Sequence, residues 1–190
     1  MEKTLSRRDI WDGAGKAGLV LGLVSIAYVL LSWLLTKLGG STGMALLSTL
    51  LAFVLWVAKF AGCILLMKLF MTRFAAAHPD ADNSDTFRFG MVTALLSALI
   101  FSAFDMAYLT WIAPDTLAQA MEAVQESYGS MLPAESLEAL ENINFGTVTF
   151  FVNLIYCFLF GTVLSAILSR NIPSRNPFAD NRMTNTPDEQ

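Results

Sequence analysis

Two charged side chains lie deep within long apolar stretches, where charge is costly and marks the first places to look for chemistry. These residues are Lys59 and Asp105. At helical rise, Lys59 lies about 12 Å from one end of its stretch and Asp105 about 10 Å from the opposite membrane boundary. Asn153, in a later stretch, has nearly the depth of Asp105. We therefore expect a hydrogen bond between Asp105 and Asn153, with the hydroxyls of Tyr108 and Tyr156 nearby as donors.

Each of these polar residues has two interpretations. Asp105 could bind and release a proton, with Asn153 and Tyr156 lining the pathway and Lys59 tuning the local field. Alternatively, Asp105 could make a structural hydrogen bond that orders helix packing. Lys59 could instead extend its long side chain toward the nearer lipid headgroups. Both interpretations stay open on the sequence alone.

Other catalytic arrangements are excluded by the residue inventory. His78 is the single histidine and lies alone in a polar loop, so we expect neither a histidine metal site nor a Ser-His triad within one chain. Asp105 is the single aspartate in the apolar stretches, which excludes a paired-aspartate site. Cys63 and Cys157 lie in separate stretches and are expected to be packed thiols without a disulfide. We expect no enzymatic activity, no cofactor and no metal.

The elements that must position these residues are predicted to be membrane-spanning helices. Hydrophobic residues make up 55% of the 190 residues and charged residues only 15%. Four apolar stretches are long enough to cross about 30 Å of hydrocarbon, and they cover residues 17–38, 44–67, 89–112 and 145–168. What remains is too short to bury a separate soluble core, which excludes a soluble catalytic or nucleic-acid-binding domain. We predict an all-α integral membrane fold, a four-transmembrane-helix up-down bundle.

The positive charges predict the orientation of this bundle. Of the twelve Lys and Arg, all except Lys37 and Lys59 lie in residues 1–16, 68–88 and 170–190. Residues 113–144 contain acidic side chains and no Lys or Arg. Because cytoplasmic flanks retain positive charge, we expect both termini in the cytoplasm. The predicted organisation is an N-terminal anchor (1–16), a transmembrane domain (17–169) with a cytoplasmic loop (68–88) and a disordered tail (170–190).

Two surfaces of the predicted bundle are suited to contacts with other helices or proteins. The first is a stripe of small residues on span one, which lets another helix approach closely, either in this chain or in a second copy. It consists of Gly15, Gly18, Gly22 and Ser25. The second is the apolar face of a predicted amphipathic extracytoplasmic helix between spans three and four. It consists of Leu117, Met121, Val124 and Tyr128.

The outer amphipathic segment has more than one possible position. It could lie on the membrane surface, cap the bundle, or bind an extracytoplasmic partner. A second short helix is predicted over residues 134–143, after Pro133. In the loop before span three, Ser84 or Asp85 is the expected N-cap.

Several short motifs occur in an order that resembles a known family. They are Ile112-Ala113-Pro114-Asp115, residues 117–126, Phe160-Gly161-Thr162-Val163 and Arg175-Asn176-Pro177-Phe178. Over nearly the whole chain this order resembles the bacterial membrane family called domain of unknown function 4199. The resemblance implies a small four-span protein of the bacterial inner membrane with no assigned biochemical role. It transfers no active site.

The two interaction surfaces favour a non-enzymatic scaffold or accessory protein. Its expected partners are the lipid bilayer and either a second copy of the chain or another membrane protein, and not nucleic acid. The alternative is a small proton-coupled carrier that uses Asp105 as its protonatable site. The sequence does not identify a small-molecule substrate for such a carrier.

Overall fold

The computed structural model describes residues 7–38, 42–78, 81–128 and 144–172, which are almost entirely helical. The elements are α1 (Arg7–Leu38), α2 (Thr42–Ala77), α3 (Asn83–Ala107), a π-helical turn (Tyr108–Ile112), α4 (Pro114–Tyr128) and α5 (Phe145–Asn171). No strand occurs within these ranges. Four helices, α1, α2, α3 with its π-turn and α5, are long and apolar enough to cross a membrane. The predicted all-α membrane bundle is confirmed.

The helices extend beyond the apolar stretches that predicted them. α1 begins at Arg7, inside the predicted anchor, and α2 continues to Ala77, so much of the predicted loop 68–88 is helical. Helix formation requires backbone hydrogen bonds and not apolar side chains, so a helix can continue past the end of an apolar stretch. Asp82, and not Ser84 or Asp85, caps α3, because its carboxylate accepts a 2.7 Å hydrogen bond from the Asp85 backbone N–H.

The order of contacts between helices gives their relative directions. Gly18 of α1 lies against Leu96 of α3 and Gly22 against Ile100, so residue numbers rise together and the two helices are parallel. α3 and α5 run in opposite directions, because Gly90 faces Ser165 while Asp105 meets Asn153. α2 is antiparallel to α3, because Phe74 stacks on Phe89 and Lys59 lies over Phe101. The chain therefore passes up and down as predicted.

Small residues hold α1, α3 and α5 close together. A Cβ on Gly18 would lie 2.9 Å from the Leu96 Cβ, and one on Gly22 would lie 2.9 Å from the Ile100 Cγ2. The Ser165 hydroxyl donates a 3.1 Å hydrogen bond to the Phe87 carbonyl, across the α3–α5 contact. These distances leave no room for larger side chains, so the three helices form a tightly packed unit.

α2 packs against this unit mainly at one end. We call this the amino-terminal end, because α1 begins there. Met67 and Met71 are almost completely buried, and the Phe74 ring stacks on the Phe89 ring with centroids 4.3 Å apart. Among the described side chains of α2, none before Met67 is buried. The opposite half of α2 therefore leaves space between itself and the other three spanning helices.

The π-helical turn connects α3 to the helix outside the bundle. The Ala113 N–H donates to the Tyr108 carbonyl at 2.9 Å, one residue further back than in an α-helix. Pro114 then begins α4, in agreement with its preference for the first helical turn. Trp111 is 81% exposed here, which suits an indole at a membrane interface.

α4 occupies the position of the predicted amphipathic helix, and its Asp115, Glu122 and Glu126 side chains are exposed. The side chains of the predicted contact face lie outside the described part of the chain; they are Leu117, Met121, Val124 and Tyr128. The predicted helix at 134–143 and nearly all of the predicted tail, residues 173–190, also lie outside the described residues.

Candidate intramembrane site

The loosely packed half of α2 borders a cavity of about 340 Å³. This volume falls within the range of small-molecule sites, roughly 300–1,000 Å³. All four spanning helices contribute to its wall, which is mainly apolar and aromatic. The polar lining residues are Ser25, Lys59, Cys63, Ser97, Asn153, Tyr156 and Cys157.

Asp105 and Asn153 meet beside this cavity. The Asn153 Nδ2 donates a 2.7 Å hydrogen bond to the Asp105 Oδ2, which links α5 to α3. Both side chains are partly buried, and Asn153 lines the cavity while Asp105 does not. The structure therefore contains the contact that residue depths predict, and Asn153 connects the cavity to the carboxylate. Among the described residues, neither the Tyr108 nor the Tyr156 hydroxyl bonds to Asp105.

Lys59 points into the bundle and does not extend toward the headgroups. Its Nζ lies 4.8 Å from the centroid of the Tyr28 ring and 4.9 Å from that of the Phe101 ring. Such cation–π contacts are worth about 0.5–2 kcal/mol each. The sequence also allows the Lys59 side chain to extend toward the headgroups. In the structure its ammonium group instead contacts the Tyr28 ring of α1 and the Phe101 ring of α3.

The charge of Lys59 is the main electrostatic feature of the site. It acts on Asp105, and also on the thiols of Cys63 and Cys157. Within the described ranges, no carboxylate forms an ion pair with Lys59 at 4.0 Å or less. An ionised Asp105 carboxylate would therefore offset the positive charge of Lys59 without direct contact between the two groups. If Asp105 takes up a proton, the cavity holds an unbalanced positive charge.

The two cysteines are free thiols that line the same cavity, Cys63 from α2 and Cys157 from α5. Their positions along separate spans gave no reason to expect this. A signal was present in the spacing, since Cys63 follows Lys59 by four residues and Cys157 follows Asn153 by four residues, which places each thiol on the same helix face as a polar residue. The cysteines can therefore report on what occupies the cavity.

Aromatic side chains form the edge of the cavity between α2 and α5. Trp56 and Tyr156 line it and are 48% and 61% exposed, so this edge is accessible from the outer surface of the bundle. One turn closer to the amino-terminal end, the Phe60 and Phe160 rings meet edge to face with centroids 5.5 Å apart. The sequence does not single out these aromatics, because lipid-facing and cavity-lining aromatic residues have the same composition and spacing.

The stripe of small residues on α1 packs mainly against another helix of the same chain. Gly18 and Gly22 face α3, and Ser25 is buried and lines the cavity. A Cβ on Gly15 would meet no atom of another helix within 4 Å among the described residues. Of the two possibilities open from the sequence, a helix of the same chain therefore occupies the face formed by Gly18 and Gly22.

A family described as "Protein of unknown function (DUF4199)" matches residues 16–170, a range that includes every residue of the cavity wall. No curated protein and no solved structure matches the chain.

Proposed function

We propose that this chain, which belongs to the DUF4199 family of proteins of unknown function, is a small proton-coupled membrane carrier with Asp105 as its proton-binding group. The supporting observation is the position of Asn153, which lines the cavity and holds the Asp105 carboxylate at 2.7 Å. A molecule in the cavity would lie beside Asn153 and Lys59, the two groups that act on Asp105. Its binding and the binding of a proton would therefore influence each other.

In this proposal, α2 would provide the movement that a carrier needs, because its buried contacts are concentrated at one end. The tightly packed unit of α1, α3 and α5 would stay fixed, while α2 would pivot about its buried contacts at Met67, Met71 and Phe74. Protonation of Asp105 would remove its attraction for Lys59 on the moving helix, so it would alter the balance between two positions of α2. The proposed role is non-enzymatic.

The proposed location is the bacterial inner membrane, with both termini in the cytoplasm. Basic side chains are located at the amino-terminal end of the bundle, and they include Arg8, Lys16, Lys68, Arg73, Arg88 and Arg170. The exposed acidic side chains of α4 lie beyond the opposite end. This asymmetry follows the rule that positive flanks stay inside.

Infrared difference spectroscopy on the protein in nanodiscs tests the proton-binding role. Acidification should produce a reversible carbonyl band of a carboxylic acid shielded from water in the wild type, and this band should be missing in Asp105→Asn. Asp115→Asn is the matched control, because Asp115 is exposed on α4. A folded wild type that never shows the band, or an Asp105→Asn variant that retains it, would overturn the proposal and leave Asp105 as a packing residue.

A scaffold or accessory role is the second candidate, and α4 is the feature that favours it. This helix follows the third span outside the set of spanning helices, and its charged residues are exposed. The apolar pattern of Leu117, Met121 and Val124 would then contact a partner. In native membranes, Met121→Glu should abolish a crosslinked complex if this role is correct, and Glu122→Gln should preserve it. Unchanged crosslinking in Met121→Glu would exclude α4 as the contact.

A further inference from the structure

The proposed carrier has a cavity whose chemistry restricts what it can bind. Among the described residues that line the cavity, Lys59 is the only charged one. The centroids of two aromatic rings lie within 5 Å of its ammonium nitrogen. No carboxylate of the described residues forms an ion pair with it at 4.0 Å or less. A ring face attracts a cation but forms no hydrogen bond with all three N–H donors. The ammonium therefore retains the capacity to bind an acidic group.

Neutral donors that line the same cavity could bind an acidic group together with Lys59. Asn153 uses its amide nitrogen to hold Asp105, and an amide nitrogen has a second N–H. The Ser97 hydroxyl lies on the α3 wall of the cavity. A compact anion with several acceptor oxygens fits this set of donors, since charge-assisted hydrogen bonds are strongest between ionised partners.

The rest of the cavity is unsuited to a fully water-soluble anion. Trp56, Phe60 and Phe160 form an aromatic wall between α2 and α5. The half-exposed Trp56 and Tyr156 side chains mark an opening on the lateral surface of the bundle, where spanning helices meet lipid chains. An alkyl chain leaving the cavity here would stay in an apolar environment along its whole length.

We propose that the cavity binds a single-chain anionic amphiphile, with its acidic head against Lys59 and Asn153 and its alkyl chain passing between Trp56 and Tyr156 into the bilayer. This inference rests on the proposed carrier function, because it names the substrate class of the same site. The two proposals depend on different residues. Binding of the amphiphile requires Lys59 and the cavity, whereas coupling to protons requires Asp105.

Binding of the anion and of a proton should reinforce each other. Among the described residues, the ionisable groups that interact with Asp105 are Lys59 of α2, Cys157 of α5 and Tyr108 of the π-helical turn. Ionised Asp105 offsets part of the positive charge of Lys59 and repels an incoming anion. Protonated Asp105 carries no charge and has neither effect. The amphiphile should therefore bind more tightly at acidic pH, and its binding should cause proton uptake to the same extent.

Alkylation of the native cysteines provides a direct test with a defined probe. The protein in nanodiscs is treated with N-ethylmaleimide, and mass spectrometry follows modification of the peptides that carry Cys63 and Cys157, with and without decane-1-sulfonate. A sulfonate head stays charged at all relevant pH values. The uncharged decan-1-ol and the cationic decyltrimethylammonium have the same chain and test the role of the head. Methanesulfonate has the same head without the chain and stays in water.

Decane-1-sulfonate should protect both cysteines at concentrations where the other three compounds do not. Lys59→Gln should weaken protection by about tenfold or more, and Lys59→Arg should retain it. Lys68→Gln, on an exposed face of the same helix, should match the wild type.

Two outcomes would contradict the proposed ligand. Equal protection by decan-1-ol would show that binding does not require an acidic head. Equal protection by methanesulfonate would show that binding does not require an alkyl chain, and would overturn entry from the bilayer. Both comparisons use the wild type, so they hold even if Lys59→Gln fails to fold. A protein that binds the sulfonate but never protonates Asp105 would retain this inference and lose the proton-coupled function.

Discussion

The side-chain amide of Asn153 donates a 2.7 Å hydrogen bond to the carboxylate of Asp105, and it does so from the wall of a cavity that also holds Lys59. This bond joins α3 to α5 in the half of the bundle where α2 packs loosely. A polar contact at this position serves either packing or ligand coupling. Its energetic contribution and its effect on ligand binding can be measured separately.

The first prediction concerns the contribution of this hydrogen bond to stability. A double-mutant cycle with Asp105→Leu and Asn153→Leu should give a coupling energy of about 0.6 kcal/mol and no more than about 1.7 kcal/mol, the average and the maximum found for interhelical hydrogen bonds by such cycles in a membrane protein. Reversible unfolding in mixed micelles with increasing denaturing detergent gives the four free energies. A coupling energy near zero would show that the two side chains do not interact in the membrane.

The second prediction concerns the glycines of α1. Gly18→Val and Gly22→Val should each destabilise the protein by about 1–3 kcal/mol, because the new side chains would overlap Leu96 and Ile100 of α3. Gly15→Val is the matched control on the same helix, and it should change stability by no more than about 0.5 kcal/mol because its Cβ meets open space. Thermal unfolding in detergent measures all three. A large loss in Gly15→Val with none in Gly22→Val would contradict the α1–α3 packing described above.

The fold was largely predictable because membrane helices leave a strong signal in hydropathy. Apolar stretches long enough to span a bilayer gave all four spanning helices, and residue depth gave the Asp105–Asn153 contact. The ends of the helices were less predictable, since α2 and α3 continue through the charged residues Lys68, Arg73 and Arg88. Charged residues are compatible with a helix once it leaves the hydrocarbon.

The cavity was not predictable from the sequence. It depends on how far α2 separates from α3 and α5, and this separation arises from side-chain packing between helices that are uniformly apolar. Trp56 and Phe160 line the cavity, yet their sequence neighbourhoods resemble those of lipid-facing aromatics. The direction of the Lys59 side chain was also undetermined, because a long flexible stem can reach either headgroups or ring faces.

The third prediction concerns the contact between Phe60 and Phe160, which lies one turn closer to the amino-terminal end than the opening at Trp56 and Tyr156. Phe160→Ala removes one ring of the Phe60–Phe160 pair, so N-ethylmaleimide should reach Cys157 several times faster. Leu159→Ala is the control, because Leu159 is exposed on the same helix and does not line the cavity. Alkylation rates followed by mass spectrometry distinguish the two variants. Equal rates would show that the aromatic pair does not limit access.

The fourth prediction concerns orientation. With the native cysteines replaced by serine, Glu126→Cys should react with a membrane-impermeant maleimide added to intact spheroplasts, because α4 is proposed to lie outside. Arg170→Cys should react only after the membrane is opened, because the end of α5 is proposed to face the cytoplasm. Both native side chains are exposed, so access does not depend on burial. The reverse pattern of labelling would invert the proposed topology.

Proton flux driven by an anionic amphiphile is the most direct test of proton-coupled transport by this protein. Proteoliposomes enclose a pH-sensitive dye, decane-1-sulfonate is added outside, and the internal pH is followed. Internal acidification should occur with the wild type and with Lys68→Gln, and not with Asp105→Asn or Lys59→Gln, because carriage requires both the proton site and the anion site. A wild-type protein that transports the sulfonate without internal acidification, or an Asp105→Asn variant that acidifies as the wild type does, would contradict proton-coupled carriage through Asp105.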